Sequence, residues 1–325
     1  MYKKKIKAST NFFHYTVYAL LFPHLIAGPI VRYSEIFQEI KKRYVDYQSF
    51  FRGLVFFSVG LFLKTFIADQ LFPLEEHLDT LITQLDTLKA VIITLSFSLR
   101  LYFDFLGYSL MAIGIASFFG FHFPDNFDSP YTSVSITDFW QKWNISLSLW
   151  IRDYIYIPLG GNRKGEIRTN LNLLITMILA GLWHGAGWNY IVWGTLHGCF
   201  LVTERILPQN IIAKLPKRIR QILTFILVSS LWVIFKFKTL SEAKLVFHAM
   251  TTWTFFPLED ITQNILFATI PAWLIGVFWI ICIKEKNLKA IQPNVWKLIF
   301  FSCLLFFSIS FSMVKRSIAF IYFQF

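Results

Sequence analysis

Long apolar runs alternate with short polar or basic segments along most of the chain. The clearest runs lie at residues 54–72, 88–121, 222–235, 265–283 and 296–311. Several of them approach or exceed the roughly 20 residues that an α-helix needs to cross hydrocarbon. A helix satisfies its own backbone hydrogen bonds, which lipid cannot do. The pattern therefore predicts an all-α fold, a polytopic transmembrane helix bundle formed by one domain over residues 1–325.

Two segments depart from this simple pattern. The apolar stretch at residues 11–31 is interrupted by Pro23, Gly28 and Pro29, which predicts a broken or re-entrant segment rather than a straight span. Residues 135–158 mix charged side chains with many aromatic ones. That composition is typical of interfacial helices, and we expect an interfacial or re-entrant helix pair there.

The run at residues 88–121 is too long for one upright crossing and carries two charges. Arg100 and Asp104 are four residues apart and share one helical face, so we expect them to form an ion pair inside the bundle. As an alternative, Asp104 lines a polar cavity together with Tyr102 and Tyr108.

Composition supports the membrane interpretation. Hydrophobic residues make up 55% of the 325 positions and charged residues only 15%, whereas roughly a quarter would be charged in a soluble domain. The formal charge of +12 resides in short blocks between apolar runs, among them residues 41–43, 163–168, 214–220 and 284–289. This is the positive-inside pattern, which places these loops in the cytoplasm and argues against nucleic acid as a partner.

Several kinds of chemistry have no support in the sequence. Cys199, Cys282 and Cys303 lie in apolar surroundings without paired spacing, so neither a zinc site nor a disulfide framework is indicated. Nucleotide-binding loops, dinucleotide fingerprints and HExxH motifs are all lacking. The basic segment at residues 1–10 lacks the features of a cleaved signal peptide. We therefore expect no metal and no bound cofactor.

His184 is the main candidate for chemistry. It stands in an apolar stretch at residues 170–198, between Gly181, Gly185 and Gly187. An ionisable group at membrane depth costs free energy and is a functional candidate by default. Trp183 and the glycines predict a small dry pocket, in which a neutral imidazole is favoured and can act as a general base. The alternative is a structural histidine in a helix bundle.

Asn144 and His197 are further polar candidates in apolar, tryptophan-rich segments. Asn144 begins the sequence NISLS. It either belongs to the polar stripe of an interfacial helix or caps that helix, or its amide orients a substrate carbonyl or the histidine. Ser146 and Ser148 lack the glycine-flanked turn of a nucleophile. His197 has a Trp-Gly-x-x-His-Gly setting, and we expect a mainly structural role for it.

Five segments together carry a family resemblance. They are FPHLIAGPIVRYSEI, LYFDFLGYSLMAIGIASFFGFHFPDNFDSPY, ITDFWQKWNISLSLWIRDYIYIPLGGNRKG, LNLLITMILAGLWHGAGWNYIVWGTLHG and the terminal FIYFQF. In this order they resemble the membrane-bound O-acyltransferases, in particular the bacterial branch that acetylates alginate. The teichoic acid D-alanyl transferases are more distant relatives in the same branch.

The resemblance implies roles for individual residues. His184 matches the family's catalytic histidine, and Asn144 stands where this branch usually has a second histidine. Leu110 stands where alginate-type members commonly have aspartate. We take His184 and Asn144 as candidate catalytic residues. The candidate substrate-binding residues lie in or beside the same motifs and are Asp104, Tyr108, Trp143, Arg152, Trp183 and His197.

The resemblance also implies a reaction and a location. An acetyl group would pass from a cytoplasmic thioester, acetyl-CoA or an acyl carrier, to hydroxyls of an exported polysaccharide such as alginate, through a periplasmic partner protein. Peptidoglycan O-acylation and D-alanyl transfer are alternatives within the family. A transporter or flippase, or a non-catalytic membrane subunit, is the alternative of another class. We expect a multi-pass protein of the bacterial inner membrane that lacks the family's first transmembrane helices.

Overall fold

The regular structure of the protein is helical. The computed structural model describes residues 11–25, 28–207, 214–314 and 318–321. Within these ranges the chain forms α-helices with short 3₁₀ and π segments, and an isolated antiparallel bridge joins Phe127 to Trp143. The predicted all-α class is confirmed. The basic residues 1–10 and the last four residues of the terminal FIYFQF motif lie outside the described residues.

The first five helices contain two long apolar segments. Their bounds are α1 (Phe12–Ala19), α2 (Tyr33–Lys41), α3 (Tyr47–Leu63), α4 (Asp69–Thr80) and α5 (Thr87–Phe118). The predicted interruption of residues 11–31 is confirmed, because α1 ends early and a 3₁₀ turn at Phe22–His24 follows. α5 has 32 residues, which corresponds to about 48 Å at 1.5 Å per residue.

The middle of the chain holds the helices that will form the site. They are α6 (Ile136–Lys142), α7 (Ile145–Ile151), α8 (Glu166–His184) and α9 (Trp188–Ile206). A π-helical turn at Arg152–Tyr156 continues α7. The short helices α6 and α7 confirm the predicted helix pair in residues 135–158.

The remaining helices are α10 (Lys217–Lys236), α11 (Leu240–Thr251), α12 (Asp260–Cys282) and α13 (Val295–Val314). Three of them coincide with the apolar runs of the sequence. α11 was not anticipated, because its 12 residues are too few to give a membrane-length run. It begins with a capping box formed by Thr239 and Glu242.

Five helical segments in the described ranges are long and apolar enough to cross a membrane. They are Tyr47–Thr80, Thr87–Phe118, Lys217–Lys236, Asp260–Cys282 and Val295–Val314. Over the most apolar 18 residues of each helix, 83% of α5 is buried, against 11% of α13. Helix α5 is therefore central in the bundle and α13 is peripheral. The pair α8 and α9 falls outside this set, although the sequence favoured a bilayer location for it.

Helices α3 and α5 cross in close contact through glycines. A Cβ on Gly60 would lie 2.6 Å from the carbonyl oxygen of Gly107, and one on Gly107 would lie 2.7 Å from that of Gly60. Gly53 and Gly114 form the same arrangement two turns away. Small residues let helix backbones approach closely where apolar burial alone does not drive association. These four glycines therefore allow α3 and α5 to pack with their backbones in direct contact.

The ion pairs inside the bundle differ from the predicted one. Arg100 binds Glu75 of α4, with Nε and Oε2 2.8 Å apart, and does not pair with Asp104. The carboxylate of Asp104 instead binds Lys64 at 2.7 Å and accepts the backbone N–H of Ile321 at 2.6 Å. The predicted Arg100–Asp104 pair is wrong because neighbouring helices supply closer partners of opposite charge.

Glu285 ties the loop between α12 and α13 to the centre of the bundle. Its carboxylate accepts the backbone N–H and the hydroxyl of Ser129, at 2.7 and 2.8 Å, and the indole N–H of Trp279 at 3.2 Å. The hydroxyl of Tyr102 also donates to it. Because the Tyr102 ring packs against Trp143, Glu285 links the C-terminal helices to the segment between α6 and α7.

Candidate active site

A cavity of about 600 Å³ lies among α6, α7, α8, α9 and α10. Its walls combine tryptophan rings with a small number of polar groups, as is usual for a small-molecule site. The residues that line it include Trp140, Trp143, Asn144, Arg152, Leu173, His184, Trp193, Glu204, Arg205 and Trp232.

The cavity is elongated along the α8–α9 hairpin. On α9 it extends from Trp193 to Arg205, a separation of about 18 Å at 1.5 Å per residue. On α8 it extends from Leu173 to His184, or about 16 Å by the same measure. His184 and Trp193 are in contact at one end. Glu204 and Arg205 lie towards the other end, which we call the charged mouth and define by these two residues.

Glycines set the geometry of the α8–α9 hairpin. A Cβ on Gly194 would overlap the carbonyl oxygen of Met177, and one on Gly181 would overlap that of Tyr190. Gly185, which ends α8, has a positive φ of 157°, and a Cβ there would lie 2.6 Å from the Tyr190 ring. The hairpin can therefore close tightly around the residue at its tip, His184.

His184 is the last residue of α8 and is held by aromatic rings. Its imidazole meets Trp193 and Phe235 edge to face, with ring centroids 5.5 and 5.1 Å apart, and lies 6.4 Å from the ring of Tyr190. These contacts restrict the ring, while the cavity reaches it from the other side. A partly enclosed imidazole at the end of an apolar passage can take or give a proton there.

Asn144 lines the same cavity in a left-handed backbone conformation. Its φ and ψ are 44° and 56°, a region that asparagine enters more readily than most residues. Asn144 occupies the cap position of α7, but its side chain makes no capping hydrogen bond. The N-cap position considered from the sequence is therefore confirmed, although the side chain adds no capping hydrogen bond. The preceding Trp143 is buried and stacks on Phe139 at 5.5 Å, which fixes this wall.

Ser146 supports the site from behind. Its hydroxyl donates to Oδ1 of Asn126 at 2.6 Å and accepts the backbone N–H of Ile30 at 2.8 Å. Both partners come from distant parts of the chain, so this serine fixes α7 in place. The arrangement agrees with the expectation that Ser146 is not a nucleophile.

Trp183 does not share a pocket with His184. Its side chain is 63% exposed and packs against Trp150, with ring centroids 5.8 Å apart. Successive helical residues are turned by about 100°, so the neighbour of a cavity-facing residue points elsewhere. The dry pocket predicted from Trp183 and the glycines is corrected to a passage lined by Trp140, Trp193 and Trp232.

Asp104 and Tyr108 are placed away from this cavity. Asp104 is engaged by Lys64 and Ile321, as described above. The ring of Tyr108 stacks on Phe320 at 4.5 Å. The structure therefore gives both residues positions that hold α5 against the C-terminal segment. Of the eight predicted site residues, it brings His184, Asn144, Trp143 and Arg152 to the cavity.

His197 is fully buried behind the cavity wall. Its Nδ1 accepts the indole N–H of Trp140 at 3.2 Å, and its ring packs against Trp193 with centroids 4.8 Å apart. An accepting Nδ1 places the proton of the neutral ring on Nε2. His197 therefore supports two tryptophans that line the cavity.

Arg152 lines the cavity and lies beside Asp153. Its Nε is 2.8 Å from Oδ1 of Asp153, and Oδ2 of the same carboxylate binds Arg32 at 2.7 Å. The hydrogen bond from Arg152 is the main cause of a lowered pKa at Asp153, and the bond from Arg32 adds to it. The ionic network of Arg32, Arg152 and Asp153 therefore persists over the neutral pH range.

Several residues of the cavity were not predicted from the sequence. Glu204 and Arg205 stand as adjacent charges at the end of an apolar helix, a signal that was available. Trp140 is in the quoted ITDFWQKW segment but was not singled out. Trp232 comes from α10, and no local pattern links it to His184. In the described residues, no three His, Cys, Asp or Glu side chains come together as a metal site requires.

The apolar bundle and its histidine-lined cavity define an integral membrane protein with a candidate catalytic imidazole. Residues 3–241 match the model of MBOAT, the membrane-bound O-acyltransferase family. This match covers well over half of the chain. The chain therefore belongs to the membrane-bound O-acyltransferase family, and the resemblance inferred from the motifs is confirmed.

Individual relatives differ in the polymer that their names specify. The probable alginate O-acetylase AlgI of Azotobacter vinelandii is 39% identical over 293 residues, 90% of this chain and 58% of that protein. The peptidoglycan O-acetyltransferase of Helicobacter pylori is 40% identical over 247 residues, 74% and 47% of the two chains. The teichoic acid D-alanyltransferase of Bacillus subtilis is 29% identical over 202 residues, 57% and 49%. The chain spans about half the length of these relatives.

Proposed function

We propose that the chain provides the catalytic part of an O-acyltransferase that moves an acetyl group from a thioester to a hydroxyl. The observation that carries this proposal is the position of His184 at one end of an elongated cavity whose other end is charged. A base at the inner end and charges at the mouth suit a long donor with an anionic head and a reactive acyl end.

The donor would enter at the charged mouth. That mouth lies near the beginning of α8 and the end of α9, which are flanked by the basic residues 163–168 and 214–220. The positive-inside rule assigns these basic residues to the cytoplasm. Arg152 and Arg205 would attract the phosphates of coenzyme A or the acidic surface of an acyl carrier. The tryptophan walls would enclose the apolar arm and the acyl group. Neither donor requires a bound cofactor.

The chemistry follows from the imidazole. A ring nitrogen of His184 would take the proton of the acceptor hydroxyl while the hydroxyl oxygen attacks the carbonyl carbon of the thioester. The carbon–sulfur bond then breaks, and the proton passes from the imidazolium to the leaving thiolate. The products are an O-acetyl ester and a free thiol, so atoms and charge balance. General base catalysis of this kind contributes about 10²–10⁴-fold in rate.

Asn144 would hold the carbonyl oxygen of the thioester. Its amide N–H₂ can donate to the oxygen that becomes negative as the hydroxyl attacks. A fixed donor aimed at developing charge stabilises the transition state more than the ground state. Its left-handed backbone, packed beside Trp143, keeps the amide at the cavity wall.

The acceptor would be an exported polysaccharide, alginate in the first instance, reached through a periplasmic partner protein at the inner membrane. The relatives support this choice through their names, which specify alginate and peptidoglycan O-acetylation and D-alanylation of teichoic acid. Peptidoglycan O-acylation and D-alanyl transfer remain the alternatives within the family.

The competing class is a transporter that moves an acylated molecule without forming a bond. Membranes containing the chain, supplied with a thioester labelled in the acetyl group and with alginate oligosaccharide, separate the two classes. An acyltransferase gives labelled ester and an equal amount of free thiol. Label that crosses the membrane while the thioester stays intact would contradict the proposal.

A further inference from the structure

A second cavity, of about 360 Å³, lies where α3 begins, at the end of the bundle where α5 also ends. The loop between α12 and α13 completes its wall. We call this cavity the Arg52 pocket. Its polar lining consists mainly of Tyr44, Gln48, Ser49, Arg52, His122 and Lys289. None of these residues belongs to the cavity that contains His184.

Arg52 forms no ion pair with the described residues. Its guanidinium lies over the ring of Phe56, 5.6 Å from the centroid, and Glu39 and Asp125 act on it only at longer range. Glu39, the nearest acid on α2, accepts from His122 at both the ring Nδ1, 2.8 Å away, and the backbone N–H, 3.0 Å away. Asp125 is bound to Lys289 at 2.5 Å. The Nε of Arg52 is buried with no hydrogen-bond partner among the described residues. A partly buried guanidinium without an anion costs free energy, and a bound anion would relieve that cost.

The surroundings of Arg52 favour an anion with several acceptor oxygens. Gln48 and Ser49 lie in the first turn of α3, at the positive end of its helix dipole. Asp46 also lines the pocket and opposes an anion, but its carboxylate is turned to the backbone N–H of Ser49 at 2.7 Å. The basic blocks 41–43 and 284–289 add positive charge at this end of the bundle.

We propose that the Arg52 pocket binds a phosphate or phosphate-ester group, whose oxygens accept hydrogen bonds from the guanidinium of Arg52. Arginine offers paired N–H donors that match phosphate oxygens. This proposal is independent of acyl transfer. Basic pockets between transmembrane helices near the cytoplasmic surface bind anionic lipid headgroups, and a soluble phosphate compound presents the same chemistry.

A neighbouring apolar cavity bears on the source of the phosphate. It has a volume of about 300 Å³ and is lined by Leu20, Phe22, Arg43 and Phe121, among others. Arg43 and Phe121 directly adjoin Tyr44 and His122 in the chain. A lipid with its phosphate at Arg52 would therefore find an apolar surface within reach for an acyl chain.

The test is binding to the purified full-length chain in dodecyl maltoside. Thermal unfolding is followed while either inorganic phosphate or dihexanoyl phosphatidylglycerol is titrated. The first variant, Arg52→Gln, removes the guanidinium that would donate to the phosphate. The second, Gln48→Glu, introduces a negative charge at an exposed position of the pocket, where it would repel the bound anion. Lys41→Gln is the matched control, because it removes one exposed cation of the same basic segment outside the pocket.

We expect at least one probe to raise the unfolding temperature of the parent. Arg52→Gln should weaken that probe's apparent Kd by about tenfold, the loss expected for one charge-assisted hydrogen bond. Gln48→Glu should weaken it in the same direction, and Lys41→Gln should leave it within about twofold. If both probes raise the unfolding temperature, a soluble phosphate is sufficient to occupy the pocket. If only the lipid does, the ligand is a lipid headgroup. Absence of binding to the parent, or binding equal in all variants, would overturn the proposal.

Discussion

The indole N–H of Trp140 donates to Nδ1 of His197 across 3.2 Å. This bond holds a fully buried imidazole in one tautomer, with the other nitrogen carrying the proton. The two histidines of the motif region thus differ in position. His197 lies behind the tryptophan wall, whereas His184 stands at the cavity itself. This contrast is the reason why we propose a chemical role for His184 and a supporting role for His197.

Trp140→Phe is predicted to destabilise the protein by about 1–3 kcal/mol. The substitution keeps an aromatic ring but removes the N–H, so the buried Nδ1 of His197 loses its donor. The measurement is the unfolding free energy of detergent-solubilised protein. Trp188→Phe is the matched control, because that tryptophan is 74% exposed. Equal stability of the two variants would contradict the supporting role of the Trp140–His197 bond.

Asn144→Gly is predicted to lower acyl transfer by about 10²–10³-fold without loss of folded protein, because it removes a carbonyl-binding amide. Glycine keeps the left-handed backbone at φ 44°. Asn144→Ala should lose activity and also some stability, since alanine is disfavoured there. Initial rates and unfolding temperatures measured side by side distinguish the two effects. Parent-like rates in Asn144→Gly would show that the amide does not contribute.

Gly194→Ala is predicted to disrupt the α8–α9 hairpin. Its added Cβ would overlap the carbonyl oxygen of Met177, a backbone atom that cannot move without shifting α8. Gly198→Ala is the control, because its tightest backbone contact would be the Cα of Leu174 at 3.2 Å, against 2.3 Å to the Met177 carbonyl oxygen for Gly194. We expect a loss of several degrees in unfolding temperature for the first variant and a smaller loss for the second. The reverse order would contradict the proposed packing.

Arg205→Gln is predicted to raise the KM for the thioester donor while leaving kcat nearly unchanged. Arg205 lies at the charged mouth, about 18 Å along α9 from Trp193. In the proposed binding mode it would contact the donor's anionic head and not the acyl carbon. Losing that contact removes binding energy present equally in ground and transition states. Lys244→Gln, at an exposed position of α11 outside the basic residues that flank the mouth, should change neither constant. A fall in kcat with unchanged KM would contradict the assignment of the mouth.

Much of the architecture follows from hydrophobic periodicity. The apolar runs predicted the long helices, and Pro23 and Pro29 predicted the break after α1. Helix length and lipid solvation dictate these features locally, so one sequence suffices to see them. The motif residues His184 and Asn144 were also identified, and the fold brings both to one cavity.

Partners from distant segments could not be predicted in the same way. The i,i+4 spacing put Arg100 and Asp104 on one face, but Glu75 and Lys64 from neighbouring helices form the actual pairs. Trp183 adjoins His184 in sequence and yet points outward, because helical rotation separates neighbours. Such outcomes depend on which helices pack together, and that information is not present in local spacing.

The central claim is that the imidazole of His184 performs the chemistry. The most direct measurement is the initial rate of acetyl transfer from a labelled thioester in membranes containing equal amounts of parent, His184→Ala and His248→Ala, whose histidine is exposed on α11. We predict that His184→Ala loses at least about 10²-fold in rate, with unchanged membrane content and unfolding temperature, and that His248→Ala matches the parent. Transfer by His184→Ala at near the parent rate would contradict the account.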